Sequence, residues 1–155
     1  MKTSNRNRRS NQSGQGLVIV IILVIIFGAG AWYLVTNKTT MDKEARAFGR
    51  EMIERLTVRH DIAFFRDHLS PQAKLDYPRS RQEDVIGMFT QLGVPNQPIN
   101  IEENITFESH FFSPRGFFTA HLLYPTQTAT MQIAVSHPVG KWQLDDLSFT
   151  AGAPR

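Results

Sequence analysis

Apolar and polar residues change their pattern three times along the chain. From Gly16 to Val35 it reads GLVIVIILVIIFGAGAWYLV, twenty residues without a charge. At about 1.5 Å per residue a helix of that length spans about 30 Å, the hydrocarbon thickness of a bilayer. Thirteen of the twenty are Leu, Ile, Val or Phe, which favours insertion by about 4 to 8 kcal/mol. The segment has no polar face, and Trp32 and Tyr33 stand at its distal end, where amphipathic rings favour the membrane interface. The pattern predicts a transmembrane helix over residues 16–36, marked by Leu17, Ile21, Phe27, Trp32 and Tyr33. The competing reading is a cleaved signal peptide with Leu17–Phe27 as its apolar region and Ala29-Gly30-Ala31 as the cleavage site. A mature chain would then begin on the exposed apolar run Trp32-Tyr33-Leu34-Val35.

After a short polar linker the pattern becomes helical. Thr39 with Asp42 makes a capping-box start. Met41, Ala45, Phe48, Met52 and Leu56 then form one apolar stripe. A second, short helix is expected over Asp61–Leu69, with Ile62, Phe65 and Leu69 on one face. Ser70 reads as an N-cap with Pro71 at the first helical position, starting a turn or short helix to Tyr77. Ser80-Arg81-Gln82-Glu83 reads as a capping box for a helix carrying Val85, Ile86, Phe89 and Leu92, stopped by Gly93 and Pro95.

Beyond Pro98 the period becomes two. Ile99, Ile101, Ile105, Phe107 and Phe111 share a face of a first strand. Ser113–Gly116 is expected to turn the chain. Phe118, Ala120, Leu122 and Tyr124 alternate in a second strand. Ala129, Met131, Ile133 and Val135 follow in a third, and Trp142, Leu144, Leu147 and Phe149 in a fourth. The phase slips at Asp145-Asp146, which predicts a bulge or bend. Helices followed by strands joined by short turns predict an α+β domain over residues 41–150 built on an antiparallel meander. Residues 151–155 are expected to form a disordered tail.

Charge changes the picture mainly at the N-terminus. Residues 1–36 carry Lys2, Arg6, Arg8 and Arg9 and no acid, while the other 119 residues carry 13 Lys or Arg and 14 Asp or Glu. The sequence pI of about 9.5 therefore belongs mostly to the tail. The folded part is near neutral and has no basic run, so nucleic acid is not an expected partner. The acid-free residues 1–15 are read as a basic cytoplasmic tail. Lys38, Lys43, Arg46 and Arg50 balance that count on the other flank, so the mixed Asp42 and Glu44 there supply the orientation argument. With no cysteine in the chain, disulfides, thiolate catalysis and cysteine-ligated metals are excluded.

Candidate chemistry is sparse. Asp61, Asp76, Tyr77, Tyr124, Asp145 and Asp146 are the groups a cavity enzyme could use as base or oxyanion partner. His60, His68, His110, His121 and His137 lack the spacing that sets two imidazoles on one helix face. His110 and His121 are expected to face each other across a Ser113–Gly116 turn, without a third ligand. No phosphate-binding loop or nucleophile elbow occurs, so no cofactor and no metal are expected. In the doublets Phe64-Phe65, Phe111-Phe112 and Phe117-Phe118, one ring is expected to face inward and one outward.

The closing run from Gly140 to Phe149, GKWQLDDLSF, resembles the final strand of many exported domains of the nuclear-transport-factor-2-like (NTF2-like), or cystatin-like, superfamily. Ser70–Tyr77 resembles the region after their first helices. The resemblance implies a long helix lying with shorter helices in the concave face of a curved four-stranded antiparallel sheet. The plan of tail, single span and exported domain also resembles the inner-membrane assembly factor of type IV secretion systems. On this reading the chain is a non-enzymatic, membrane-tethered interaction module of the cytoplasmic membrane, its domain exposed periplasmically. The expected partners are the lipid bilayer and a protein partner or a second copy of the chain. Asp76, Tyr77, Tyr124, Trp142 and Asp145 are the candidate cavity or interaction residues. Two alternatives stand beside it. One is a small-molecule-binding or enzymatic cavity protein. The other is a pilin-like subunit, whose leader would end at Gly16 but which carries Ile21 where pilins usually have a glutamate.

Overall fold

The computed structural model describes residues 12–109, 112–138 and 140–154. The chain divides into two compact units, one ending at Asn37 and one running from Lys38. Helix α1 covers Gln12–Thr57. It is followed by α2 (Ile62–His68), α3 (Pro71–Asp76) and α4 (Arg79–Leu92). Strands β1 (Asn100–Ser109), β2 (Phe112–Leu123), β3 (Gln127–Ser136) and β4 (Gln143–Pro154) then form one antiparallel sheet in the order β1-β2-β3-β4. The protein is therefore α+β, with one long N-terminal apolar helix and an open four-stranded sheet.

In the first unit nearly all the apolar side chains of the described residues are exposed along the helix. Leu17 through Phe27 are exposed, and Trp32 and Tyr33 are 77% and 67% exposed. This is the one helical stretch among the described residues long and apolar enough to cross a bilayer.

In the second unit the periodicities are satisfied by burial. The α1 stripe places Ala45, Met52, Ile53 and Leu56 fully inside. Inward-facing Phe118, Ala120 and Leu122 of β2, with Tyr124 just beyond its end, lie with Ala129, Met131, Ile133 and Val135 of β3 in the core, all nearly or fully buried. The tightest approach involves Phe118. A Cβ on Gly49 of α1 would come within 2.3 Å of its ring, and one on Gly116 within 2.7 Å. Two absent side chains thus make the space that one aromatic ring fills, and they let α1 lie close against β2.

The local signals hold at several points. Asp61 caps α2 by accepting the Phe64 N–H at 3.0 Å. Ser70 caps α3 by accepting the Ala73 N–H at 3.1 Å, with Pro71 at the first helical position. Gly93 ends α4 with φ of 82°, a conformation that suits glycine. The register shift between Ala134 and Val135 skips Asp145 on the partner strand, a bulge where the alternation of β4 slips.

Several expectations are corrected. No helix starts at Thr39 after a linker, because α1 runs unbroken from Gln12 to Thr57. Helix α4 begins at Arg79 with Pro78 as its N-cap and no side-chain cap. Gln82 is buried and its amide instead donates to the Tyr77 carbonyl at 2.8 Å, tying α4 to the end of α3. Ser113–Gly116 lies within β2, because Ser109 already pairs with Phe112. Pro114 is tolerated there since pairing with β3 starts only at Arg115. His121 pairs with Asn100, at the opposite end of the ladder from the Ser109–Phe112 pair. His110 and Phe111 lie outside the described residues. Strand β4 also runs on to Pro154, pairing with Gln127, through the stretch expected to be a tail.

Candidate interaction site

The five residues singled out from the sequence do not come together. Asp76 is exposed at the end of α3. Tyr77 is buried and its hydroxyl donates to the Leu147 carbonyl of β4. Burial pushes the Tyr77 phenol above its ordinary value, with the Asp146 carboxylate adding to the effect. Tyr124 is 1% exposed at the far end of β2, and its hydroxyl has no hydrogen-bond partner among the described residues. Burial pushes it up to about 12. Asp145 sits in the β4 bulge, with its carboxylate 3.5 Å from the Gln143 amide. Trp142 precedes β4, half-buried.

The inner face of the sheet is filled by side chains. Phe65, Phe118, Met131 and Leu144 are all at most 1% exposed beneath the helices. The hollows lie at the surface. One of about 650 Å³ is lined by residues that include Glu108, Arg115, Ser136, His137, Gln143 and Asp145. A second, of about 640 Å³, includes Phe48, His68, Lys74, Lys141 and Trp142. Pro71 and Gln143 line both. Among the described residues no group of His, Cys, Asp and Glu is placed to hold a metal ion.

Around the second hollow the aromatic residues form a connected stripe. Trp142 stacks on Phe48 with ring centroids 6.1 Å apart and meets His137 at 4.9 Å. Phe48 in turn meets His68 at 5.4 Å, and His68 meets Phe64 at 4.1 Å. The guanidinium of Arg55 lies 4.6 Å from the centre of the Phe64 ring. The Nδ1 of His68 pairs with the Phe64 carbonyl at 2.8 Å, which holds the imidazole against the stripe. Phe64 and Trp142 stay half-exposed, whereas Phe65, the other ring of its doublet, is fully buried. Phe117 and Phe118 divide similarly, at 45% and 1% exposed.

A second cluster joins helix to sheet. Glu103 occupies the inward face of β1 between Ile101 and Ile105, with a side chain 6% exposed. Arg46 reaches it at 2.8 Å while also holding Asp42 at 2.9 Å, and Arg50 pairs with its other oxygen. Burial acts to raise the Glu103 carboxyl, but the hydrogen bonds from Arg50 and Arg46 outweigh it and hold the group below its ordinary value. Asp61 is likewise held low, first by the Phe64 N–H and then by Arg55 at 3.0 Å.

Sequence reasoning missed most of these contacts. Glu103 was discoverable as the single charge in the apolar alternation of β1. His68, Lys74 and Lys141 carried no such signal, because distant segments bring them beside Trp142.

Comparison with protein-family models, with curated proteins and with solved structures finds no match for this chain.

Proposed function

We propose that the chain is a single-pass membrane protein whose small NTF2-like α+β domain serves as a non-enzymatic docking module outside the cytoplasmic membrane. The observation that carries this reading is the contrast in exposure within the molecule. Leu17 through Phe27 all stand exposed in an unbroken run, while the domain buries most of its apolar residues in one core and exposes only scattered ones such as Leu75, Val94, Phe117 and Leu123. An aqueous surface of that kind is unfavourable by about 25 cal/mol per Å², and a bilayer removes it. Favouring a docking role over catalysis, the candidate acids and phenols are dispersed, and two of them, Tyr77 and Tyr124, are packed in the core. The four-stranded meander with the helix stripe against its inner face supports the NTF2-like assignment, and type IV secretion assembly remains an analogy of plan.

The absence of cysteine offers a direct test. A Ser148→Cys variant places one thiol on an exposed position of β4. Carbonate-washed membranes are expected to retain it, and an impermeant maleimide is expected to label it in intact cells. Release by carbonate would overturn the span, and labelling only after lysis would overturn the orientation.

A further inference from the structure

The hollow beside Trp142 sets two exposed lysines beside a row of aromatic rings. Arg46, Arg50, Arg55, Arg59 and Arg115 each pair with a carboxylate. Lys74 and Lys141, both exposed on the rim of this hollow, have no such partner among the described residues. Among the described residues, Asp67 is the only acid lining it. Its floor is the part of the aromatic stripe where the half-exposed Trp142 and His68 meet the buried Phe48.

Resting on the docking reading above, we infer that this groove receives an acidic segment of a partner protein that carries aromatic side chains between its carboxylates. The rings supply flat apolar area with little rotamer entropy to lose, and the two lysines supply the complementary charge. A groove of about 640 Å³ is large enough for one or two side chains. An anionic membrane surface could satisfy the same charges, but the geometry favours a peptide. The site is concave, with Trp142, Phe48 and His68 at its floor.

The chain has two tryptophans, Trp32 and Trp142. In the full-length protein in detergent, Trp32→Phe leaves Trp142 as the sole reporter. A short acetylated peptide of alternating glutamate and phenylalanine is expected to shift its emission saturably, and the peptide with lysine replacing glutamate is not. Lys74→Glu combined with Lys141→Glu should weaken the acidic peptide by about tenfold or more, with an unchanged thermal transition. No shift with the acidic peptide, an equal shift with the basic one, or indifference to charge reversal would overturn the assignment. So would a response to soluble short-chain phosphatidylserine in its place, which would make the groove a lipid contact. Membrane retention and maleimide labelling are scored separately, so loss of the peptide result leaves the tether reading standing, and loss of the tether leaves the peptide result standing.

Discussion

Leu17–Val35 and Met41–Thr57 both belong to α1, but the first carries no charge and the second carries eight charged residues. In the first stretch the apolar residues run all round the helix, and nearly all of them are exposed. In the second they recur every three or four residues, and Ala45, Met52, Ile53 and Leu56 are completely buried. The opposite face of the second stretch carries charges that find partners, among them Arg46 with Asp42 and Glu103, and Arg55 with Glu51 and Asp61. What separates the two stretches is whether the apolar residues leave a polar face, which decides whether water or hydrocarbon is the compatible surround.

The largest effect on this contrast is expected from charging the first stretch. Ile22→Lys with Ile25→Lys costs about 2.5 to 3.5 kcal/mol per lysine at the centre of a span. Membrane fractionation should find the variant released, while the thermal transition of the domain stays in place. In the second stretch the equivalent blow falls on packing. Phe118→Ala empties the space between Gly49 and Gly116 and should cost about 3 to 5 kcal/mol in denaturant unfolding. Gly49→Ala drives a methyl into the same ring and should cost about 1 to 3 kcal/mol. A double-mutant cycle with Phe118→Leu should recover part of that loss, because the smaller side chain makes room.

Two buried phenols sharpen the comparison at lower magnitude. Tyr77→Phe removes the hydrogen bond to the Leu147 carbonyl and should cost about 1 to 2 kcal/mol. Tyr124→Phe removes a buried hydroxyl that has no partner and should be neutral or slightly stabilising by equilibrium unfolding. The pH limbs are smaller still. The lowered carboxyl of Glu103 contributes stability that is present above its unfolded value of 4.5 and is lost as pH falls through the lower folded value. Glu103→Gln should flatten that acid limb. The raised Tyr124 phenol contributes stability present below 10.0 and lost as pH rises toward about 12. Tyr124→Phe should weaken that alkaline limb.

Much of the domain could be read from the residues. Strict alternation identified the inward faces of β2, β3 and β4, and the phase slip at Asp145-Asp146 located the bulge. Ser70-Pro71 and Gly93 marked helix ends because their backbone chemistry is local. Errors arose where a local signal met a tertiary demand. Ser113-Pro114-Arg115-Gly116 has turn composition, yet β1 and β2 already pair at Ser109 and Phe112, and the Phe118 ring needs Gly116 as a close neighbour inside the sheet. Ser80–Glu83 has capping-box composition, yet the Gln82 amide is needed by the Tyr77 carbonyl. The aromatic groove was the least legible part. Phe48 reads as one more member of a helix stripe, and Trp142 as one more strand residue. Only the fold brings them together with His68, Lys74 and Lys141.

The membrane reading is tested most directly by the intact mass of the protein recovered from carbonate-washed membranes and from the soluble fraction. Retention of the apolar helix as a span predicts a mass that includes Leu17–Val35, found in the membranes alone. A mass beginning at Trp32 in the soluble fraction would contradict it and make the domain a freely exported protein.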